Sequence, residues 1–147
     1  MPKINTDILK SNNRPLVVVV HPEIHTLDEE KKDLQTRFNW PVISIGKDLS
    51  KDMLSGLVSG AATVQAWLID RVRSAPSSPI LLSDIDLLFE PSFKLDPLIL
   101  FQQASRFNRM VVLWPGTYSK DKVLSYAVPE HNHYHTWRNP DADIFTL

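Results

Sequence analysis

Two aspartates at the end of an apolar run are the residues best suited to chemistry in this sequence. Asp84 and Asp86 lie in the segment ILLSDIDLLF, where a predicted strand ends. The carboxyl ends of strands are where open α/β sheets bind ligands, and a carboxylate there can hold Mg²⁺ or orient water for attack on a phosphoryl group. The alternative is that both aspartates cap and solvate a turn. The sequence leaves these two interpretations open.

Three histidines at alternate positions form a second candidate site. His131, His133 and His135 in EHNHYHTW would share one side of an extended segment. Imidazole side chains suit zinc, nickel or copper, so this cluster would make the protein a small metal-dependent nuclease or hydrolase. Histidines clustered in a surface segment are more often solvated, and we therefore expect no bound metal.

Short β-branched runs alternate along the chain with helical patterns, which is typical of a mostly parallel sheet covered by helices. The run LVVVV at 16–20 is apolar on both faces and predicts a central parallel strand. Asp96 and Pro97 predict a helix start, because Asp caps a helix and Pro suits its first turn. Further strands are predicted in PVISI, ILLSDIDLLF, RMVVLWPG and DIFTL, and further helices in TLDEEKKDLQTRF and the segment 49–73.

Length and composition point to one domain. The chain has 147 residues, of which 43% are hydrophobic, so a single domain over 1–147 is expected. Residues 1–13 could be flexible, and 118–139 are predicted to be rich in loops. There is no cysteine, which excludes disulfides and thiolate metal sites. No apolar run approaches the roughly 18 residues of a membrane helix, so we expect a soluble cytoplasmic protein without membrane contact.

The charge balance argues against tight autonomous binding of nucleic acid. Lys and Arg number 16 against 17 for Asp and Glu, which gives a net charge of −1. Because affinity for DNA depends mainly on cationic contacts with phosphates, any role at DNA is expected to be indirect, through a partner.

Several short motifs follow the third predicted strand in a definite order. They are an LFEPS turn (88–92), a KLDP helix start (94–97), an SRFNR segment (105–109), a strand ending in Trp114, and a YAVPEH segment (126–131). In this order the motifs resemble the BrxF family of small P-loop proteins, components of type three BREX bacteriophage-exclusion systems. The family has Asp where Glu90 stands here. The resemblance covers roughly residues 79–134 and, more weakly, the whole chain.

This resemblance implies a three-layer α/β fold of the P-loop NTPase kind (AAA+/ASCE-like), with a parallel sheet in the strand order 5-1-4-3-2 and helices on both faces. It also implies a role in defence against phage. Asp84 would then be the water-orienting carboxylate of a Walker B strand, and Ser83 would stand where a magnesium-holding carboxylate is expected.

The phosphate-binding loop of that fold is missing from the sequence. A Walker A loop, G-x-x-x-x-G-K-[ST], wraps phosphates with backbone N–H groups and adds a lysine and a magnesium-binding hydroxyl. Thr26 and Glu29 instead have the spacing of a capping box, and carboxylates near the helix start would repel phosphate. No cofactor is therefore expected, and ATP with Mg²⁺ in a non-standard mode is the alternative. The informative loop positions are occupied by His21, Thr26, Leu27 and Asp28.

Basic and aromatic residues suggest a surface for protein partners. Arg106 and Arg109 follow the third predicted helix and could reach a neighbouring subunit or an acidic partner. The aromatic residues of the C-terminal third either form a partner surface or pack a long loop onto the sheet. The aromatic candidates for that surface are Trp114, Tyr118, Tyr134 and Trp137.

The sequence therefore favours a non-catalytic or impaired subunit over an enzyme. Such a subunit would bind other defence proteins or a second copy of itself. The alternatives are an active ATPase whose site is non-standard or completed by a partner, and the metal-dependent nuclease or hydrolase described above.

Overall fold

A central sheet organises the computed structural model, which describes residues 15–58, 60–75, 79–127 and 133–147. Its parallel part has the order β2-β3-β4-β1-β7, which matches the predicted order, with the C-terminal segment as the fifth parallel strand. These strands are β1 (Leu16–His21), β2 (Val42–Ser44), β3 (Ile80–Ser83), β4 (Met110–Tyr118) and β7 (Asp143–Thr146).

Helices cover both faces of this sheet, as predicted. On one face, helix α1 (Ile24–Phe38) is the one helix among the described residues, and its Leu27 and Leu34 meet Val17 and Val19 of β1. The opposite face carries the alternate side chains of β1, and three helices from the described part of the chain cover it. They are α2 (Ile45–Leu54), α3 (Ala61–Ser74) and α4 (Pro97–Ala104). The arrangement is a three-layer α/β fold with a mostly parallel sheet.

The helix start predicted at Asp96 is confirmed. The Asp96 carboxylate accepts a hydrogen bond of 3.1 Å from the backbone N–H of Ile99, and Pro97 is the first helical residue. The helical pattern over 49–73, in contrast, is divided between α2 and α3. Gly56 has a φ of 83° between them, a left-handed conformation that glycine adopts at little cost.

The region 118–139, predicted to be rich in loops, contains two strands. They are β5 (Val123–Tyr126) and β6 (His135–Arg138), which form an antiparallel ladder with the end of β4. Strand β4 also runs past Pro115 and Gly116, where the sequence pattern suggested that it would stop. Its pairing with β3 and β1 ends at Val112 and Pro115, and β5 is its antiparallel neighbour from Gly116 onward, on the edge that β3 occupies earlier in the strand.

Aromatic packing fastens this antiparallel ladder to the core. Tyr126 of β5 stacks on Phe89 with ring centroids 3.6 Å apart, and Trp137 of β6 meets Trp114 edge to face at 5.2 Å. The Trp114 indole N–H donates to the carbonyl oxygen of Ser125 over 3.0 Å. Such pairs add stability beyond the area they bury, so they hold β5 and β6 against the core.

Among the described residues, no helix combines the length and the apolar composition that crossing a membrane would require.

Replacing Gly116 with alanine is expected to destabilise the protein by about 2 to 3 kcal/mol, because overpacking of a closed site forces the backbone to move. A Cβ atom at this position would overlap the carbonyl oxygen of Ser125, a backbone atom that cannot rotate away. Urea denaturation measures the loss.

Gly60→Ala is the matched control, since no heavy atom lies within 4 Å of a Cβ built there. Equal unfolding midpoints for the two variants would contradict the close β4–β5 pairing.

Candidate functional site

The connection between β1 and α1 is only two residues long, Pro22 and Glu23. Helix α1 begins at Ile24, two residues before the predicted start, with Glu23 at the N-cap position and without a side-chain cap. The predicted capping box of Thr26 and Glu29 is therefore wrong, because Thr26 lies inside the helix. The backbone N–H of Glu23 donates instead to Nδ1 of His21 over 3.0 Å.

The four positions aligned with the phosphate loop are thereby separated in the structure. His21 ends β1, and Thr26 lies in the first turn of α1. Leu27 is buried against the sheet, where it is part of the hydrophobic core. The acidic residues that were expected to crowd the helix start lie beyond its first turn, which contains no carboxylate. Of these, Asp28 faces a cavity at the carboxyl edge of the sheet.

This cavity, which we call the edge cavity, has a volume of about 310 Å³. It lies where β2 and β3 end and α1 begins, the position at which open α/β sheets bind ligands. Its polar lining consists of Asp28, Lys31, Ser44, Ser83, Asp84 and Asp86. The structure thus brings the predicted Asp84 and the loop residue Asp28 to one site.

Asp84 has a left-handed backbone, with a φ of 55°. Asp tolerates this conformation better than most residues, although it still costs free energy. The carbonyl oxygen of Asp84 accepts a 2.8 Å hydrogen bond from the N–H of Gly46, and the Asp84 carboxylate occupies the space that a Cβ at position 46 would need. Within the described ranges its carboxylate has no hydrogen-bond or ion-pair partner.

Sequence reasoning assigned no role to Gly46 in this site. The available signal was a glycine directly after a predicted strand, which often marks a close approach of two backbone segments. Its partner, Asp84, is 38 residues away in the sequence, so spacing alone does not identify the pair.

Asp86, the second aspartate of the motif, has a structural partner. Its Oδ1 accepts a 2.5 Å hydrogen bond from the Tyr126 hydroxyl. Burial raises the pKa of Tyr126 above its ordinary value, and the hydrogen bond and negative charge of Asp86 raise it further. This pair connects the edge cavity to β5.

Ser83 precedes these aspartates and is buried. Its Oγ has no hydrogen-bond partner among the described residues. Because side chains alternate along a strand, Ser83 shares the α1-covered face with Leu81, and it lines the edge cavity beside Leu113. A buried hydroxyl without a partner is costly and unusual.

The histidine candidates are only partly described. His131 lies outside the described residues. His133 is half-buried, and the His135 ring packs on Trp137 with centroids 4.5 Å apart. Across the described part of the chain, no group of three His, Cys, Asp or Glu side chains could hold a metal ion.

The aromatic partner candidates are mostly used for internal packing. Trp114 is fully buried, so its proposed place on a partner surface is corrected to a place in the core. Trp137 is half-buried, and its indole N–H donates to Asp96 over 3.0 Å. Tyr118 is half-buried, whereas Tyr134 is 39% exposed and remains available.

The two arginine candidates differ in exposure. Arg106 is exposed just after α4, whereas Arg109 is half-buried at the start of β4. The backbone carbonyl of Arg109 accepts a 2.9 Å hydrogen bond from the N–H of Ile80, which helps to hold β3 beside β4.

The structure also has an exposed apolar surface that the sequence did not predict. Leu54 and Leu57, at the end of α2 and in the turn after it, are 91% and 73% exposed. Leu57 borders an open groove of about 790 Å³ along α3. At the groove, the Trp67 indole N–H donates to Asp52 over 2.7 Å and holds the pKa of that carboxyl below its ordinary value. We call Leu54, Leu57 and this groove the α2–α3 surface.

No protein-family model, curated protein or solved structure matches the chain.

Replacing Tyr126 with phenylalanine is expected to cost about 1 to 2 kcal/mol at neutral pH, because Asp86 loses a buried donor. It should also flatten the alkaline loss of stability. The pKa of Tyr126 is higher in the folded chain, so above about pH 10 the unfolded chain releases a proton that the folded chain retains. The contribution present below this pH is then lost as the pH rises toward the folded pKa.

Urea denaturation between about pH 9 and 11 measures this slope, with Tyr118→Phe as the control on β4. A Tyr126→Phe slope as steep as that of the parent protein would show that the Tyr126–Asp86 contact does not control it.

Proposed function

We propose that this chain is a P-loop NTPase-like fold of the AAA+/ASCE kind that has lost its phosphate loop. It acts in the cytoplasm as a non-catalytic subunit of a bacterial phage-defence assembly of the BREX kind. Its work is to bind other components of that assembly, or a second copy of itself. The observation that carries the proposal is the two-residue connection between β1 and α1.

This connection offers no cradle for phosphates. A Walker A loop places six residues before its lysine, and their N–H groups curl around the phosphates at a helix start. Pro22 has no N–H group, and the N–H of Glu23 is already bonded to His21. The backbone between β1 and α1 therefore has no donor left for a nucleotide.

The side chains around this connection also disfavour a triphosphate. Asp28 and Asp84 line the edge cavity, where the terminal phosphates would lie, and Leu27 is committed to the core. Both carboxylates are exposed, and at short range they still repel a phosphate group.

The α2–α3 surface supports the assembly role. Grouped, exposed apolar side chains on a folded domain mark interaction sites more often than isolated ones do. Leu54 and Leu57 are close in sequence and largely exposed, and the groove beside them contains Trp67 and Arg71, residue types enriched at interfaces. The role in phage defence comes from the BrxF-like motif order.

Isothermal titration calorimetry with ATP or ADP, each with Mg²⁺, is expected to show no saturable binding up to about 1 mM nucleotide. The physical reason is the missing backbone cradle. Asp84→Asn is expected to behave like the parent protein.

Micromolar binding together with turnover that disappears in Asp84→Asn would overturn the proposal. Turnover that arises only after a partner is added would instead identify an ATPase whose site the partner completes.

A Leu54→Glu, Leu57→Glu double variant is expected to reduce recovery of a stoichiometric partner by about tenfold or more, since two buried charges oppose association. Recovery is measured by quantitative mass spectrometry after purification from cells that carry the complete defence system.

Ile99→Glu is the matched control, because Ile99 is an exposed apolar residue on a different helix, α4. Thermal unfolding checks that all variants fold. Unchanged partner recovery in a folded double variant would exclude the α2–α3 surface.

A further inference from the structure

We propose that the edge cavity binds a guanidinium group. The inference goes beyond the assembly function and does not depend on it, because the cavity can be tested with a small molecule alone. It rests on the buried hydroxyl of Ser83, the carboxylates beside it and the absence of a metal-type cluster among the described residues.

The unpartnered Ser83 hydroxyl is the first argument. Its Oγ is buried within the wall of the cavity, and no described residue bonds to it. Leaving such a group without a partner costs about 1 to 3 kcal/mol in a typical protein. A ligand that donates a hydrogen bond to Oγ would remove this cost on binding.

The charge of the cavity is the second argument. Asp28, Asp84 and Asp86 line the cavity together with Lys31, so carboxylates outnumber ammonium groups three to one. Asp86 is bonded to Tyr126, whereas the Asp84 carboxylate has no partner within the described ranges. The cavity therefore favours a cation at Asp84, next to Ser83.

The set of groups that line the cavity bears on the kind of cation. In the described part of the chain no three ligating side chains converge tightly enough to hold a metal ion. A planar guanidinium spreads its charge over five N–H donors, so it can bond to a carboxylate with two of them and to a hydroxyl with another. An ammonium group is a more compact point charge and fits separated acceptors less well.

Gly46 holds the backbone of Asp84 and makes room for its side chain. The N–H of Gly46 bonds to the Asp84 carbonyl oxygen, and its missing Cβ leaves room for the Asp84 carboxylate. A methyl group at position 46 would displace this carboxylate, which is a movable side chain, while the backbone need not shift.

The guanidinium can come from two sources, an arginine side chain of a protein partner or a free small molecule. N-acetylarginine amide represents the side chain, since its termini are neutral. N-acetylcitrulline amide is its uncharged counterpart of similar shape, and agmatine represents a free guanidinium metabolite.

Each compound is titrated into the full chain and followed by ¹H–¹⁵N NMR. N-acetylarginine amide is expected to bind with a Kd of about 1 mM or tighter, with shifts centred on Ser83, Asp84 and Gly46. The citrulline compound is expected to bind about tenfold more weakly or not at all, since it lacks the charge that strengthens the hydrogen bonds. Agmatine bound about a hundredfold more tightly than the arginine compound would identify a free small molecule as the source, and comparable affinities would identify a side chain.

Variants separate the site from the fold. Ser83→Ala, Asp84→Asn and Gly46→Ala are each expected to weaken binding of the arginine compound by about fivefold or more. Ser83→Ala should at the same time leave thermal stability unchanged or raise it, because it removes a buried hydroxyl without a partner. Asp121→Asn, an exposed carboxylate outside the cavity, is the control.

Equal affinity for the arginine and citrulline compounds would overturn the proposal. So would shifts located away from the edge cavity, or unchanged binding in both Ser83→Ala and Asp84→Asn. None of these outcomes bears on nucleotide binding or on the α2–α3 surface, so the assembly function stands or falls separately.

Discussion

Complete burial of β1 is the constraint on which the rest of this structure depends. Residues 16–20 have at most 1% of their surface exposed, because β4 and β7 flank the strand and helices cover both of its faces. Every side chain of this run is thus confined to apolar packing, which suits the run of leucine and valine. Only the ends of the strand reach solvent, so any chemistry must be placed at an edge of the sheet.

At the carboxyl edge, the chain uses its connections for packing and not for wrapping a ligand. The two residues after β1 lead directly into α1, and Leu27 of its first turn is drawn into the core. The polar groups that remain at this edge come from three separate segments, the ends of β2 and β3 and the exposed face of α1. What the site can bind is therefore decided by tertiary geometry, and the fold alone does not specify it.

The features that the sequence predicted well are those with a local physical cause. An apolar run with no polar face must be a central strand, and an Asp-Pro pair before an apolar helix both caps and starts it. The strand order, in contrast, was expected only from a resemblance of motif order, and no local pattern specifies it. The start of α1 was misplaced because the spacing of Thr26 and Glu29 fits a capping box and a helix interior equally well.

The features that escaped prediction depend on contacts between distant residues. Strands β5 and β6 are stabilised by Phe89 and Trp114, which lie outside them in the sequence. The composition of the two strands alone resembles that of a loop, so the sequence pattern did not identify them. Trp114 ends a recognisable pattern, but nothing near it indicates that β5 will cover it. The closeness of Gly46 and Asp84 likewise arises only when β2 and β3 lie side by side.

Strand β4 belongs to both ladders, and this connects the antiparallel ladder to the edge cavity. The residue where β4 leaves its parallel neighbour, Pro115, is also in the wall of the edge cavity. A second link runs from β5 through the Tyr126 hydroxyl to Asp86 in the same wall. The β5–β6 ladder is thus connected to the cavity wall by a covalent strand and by a hydrogen bond. A ligand in the edge cavity would therefore contact the same wall to which the antiparallel ladder is attached.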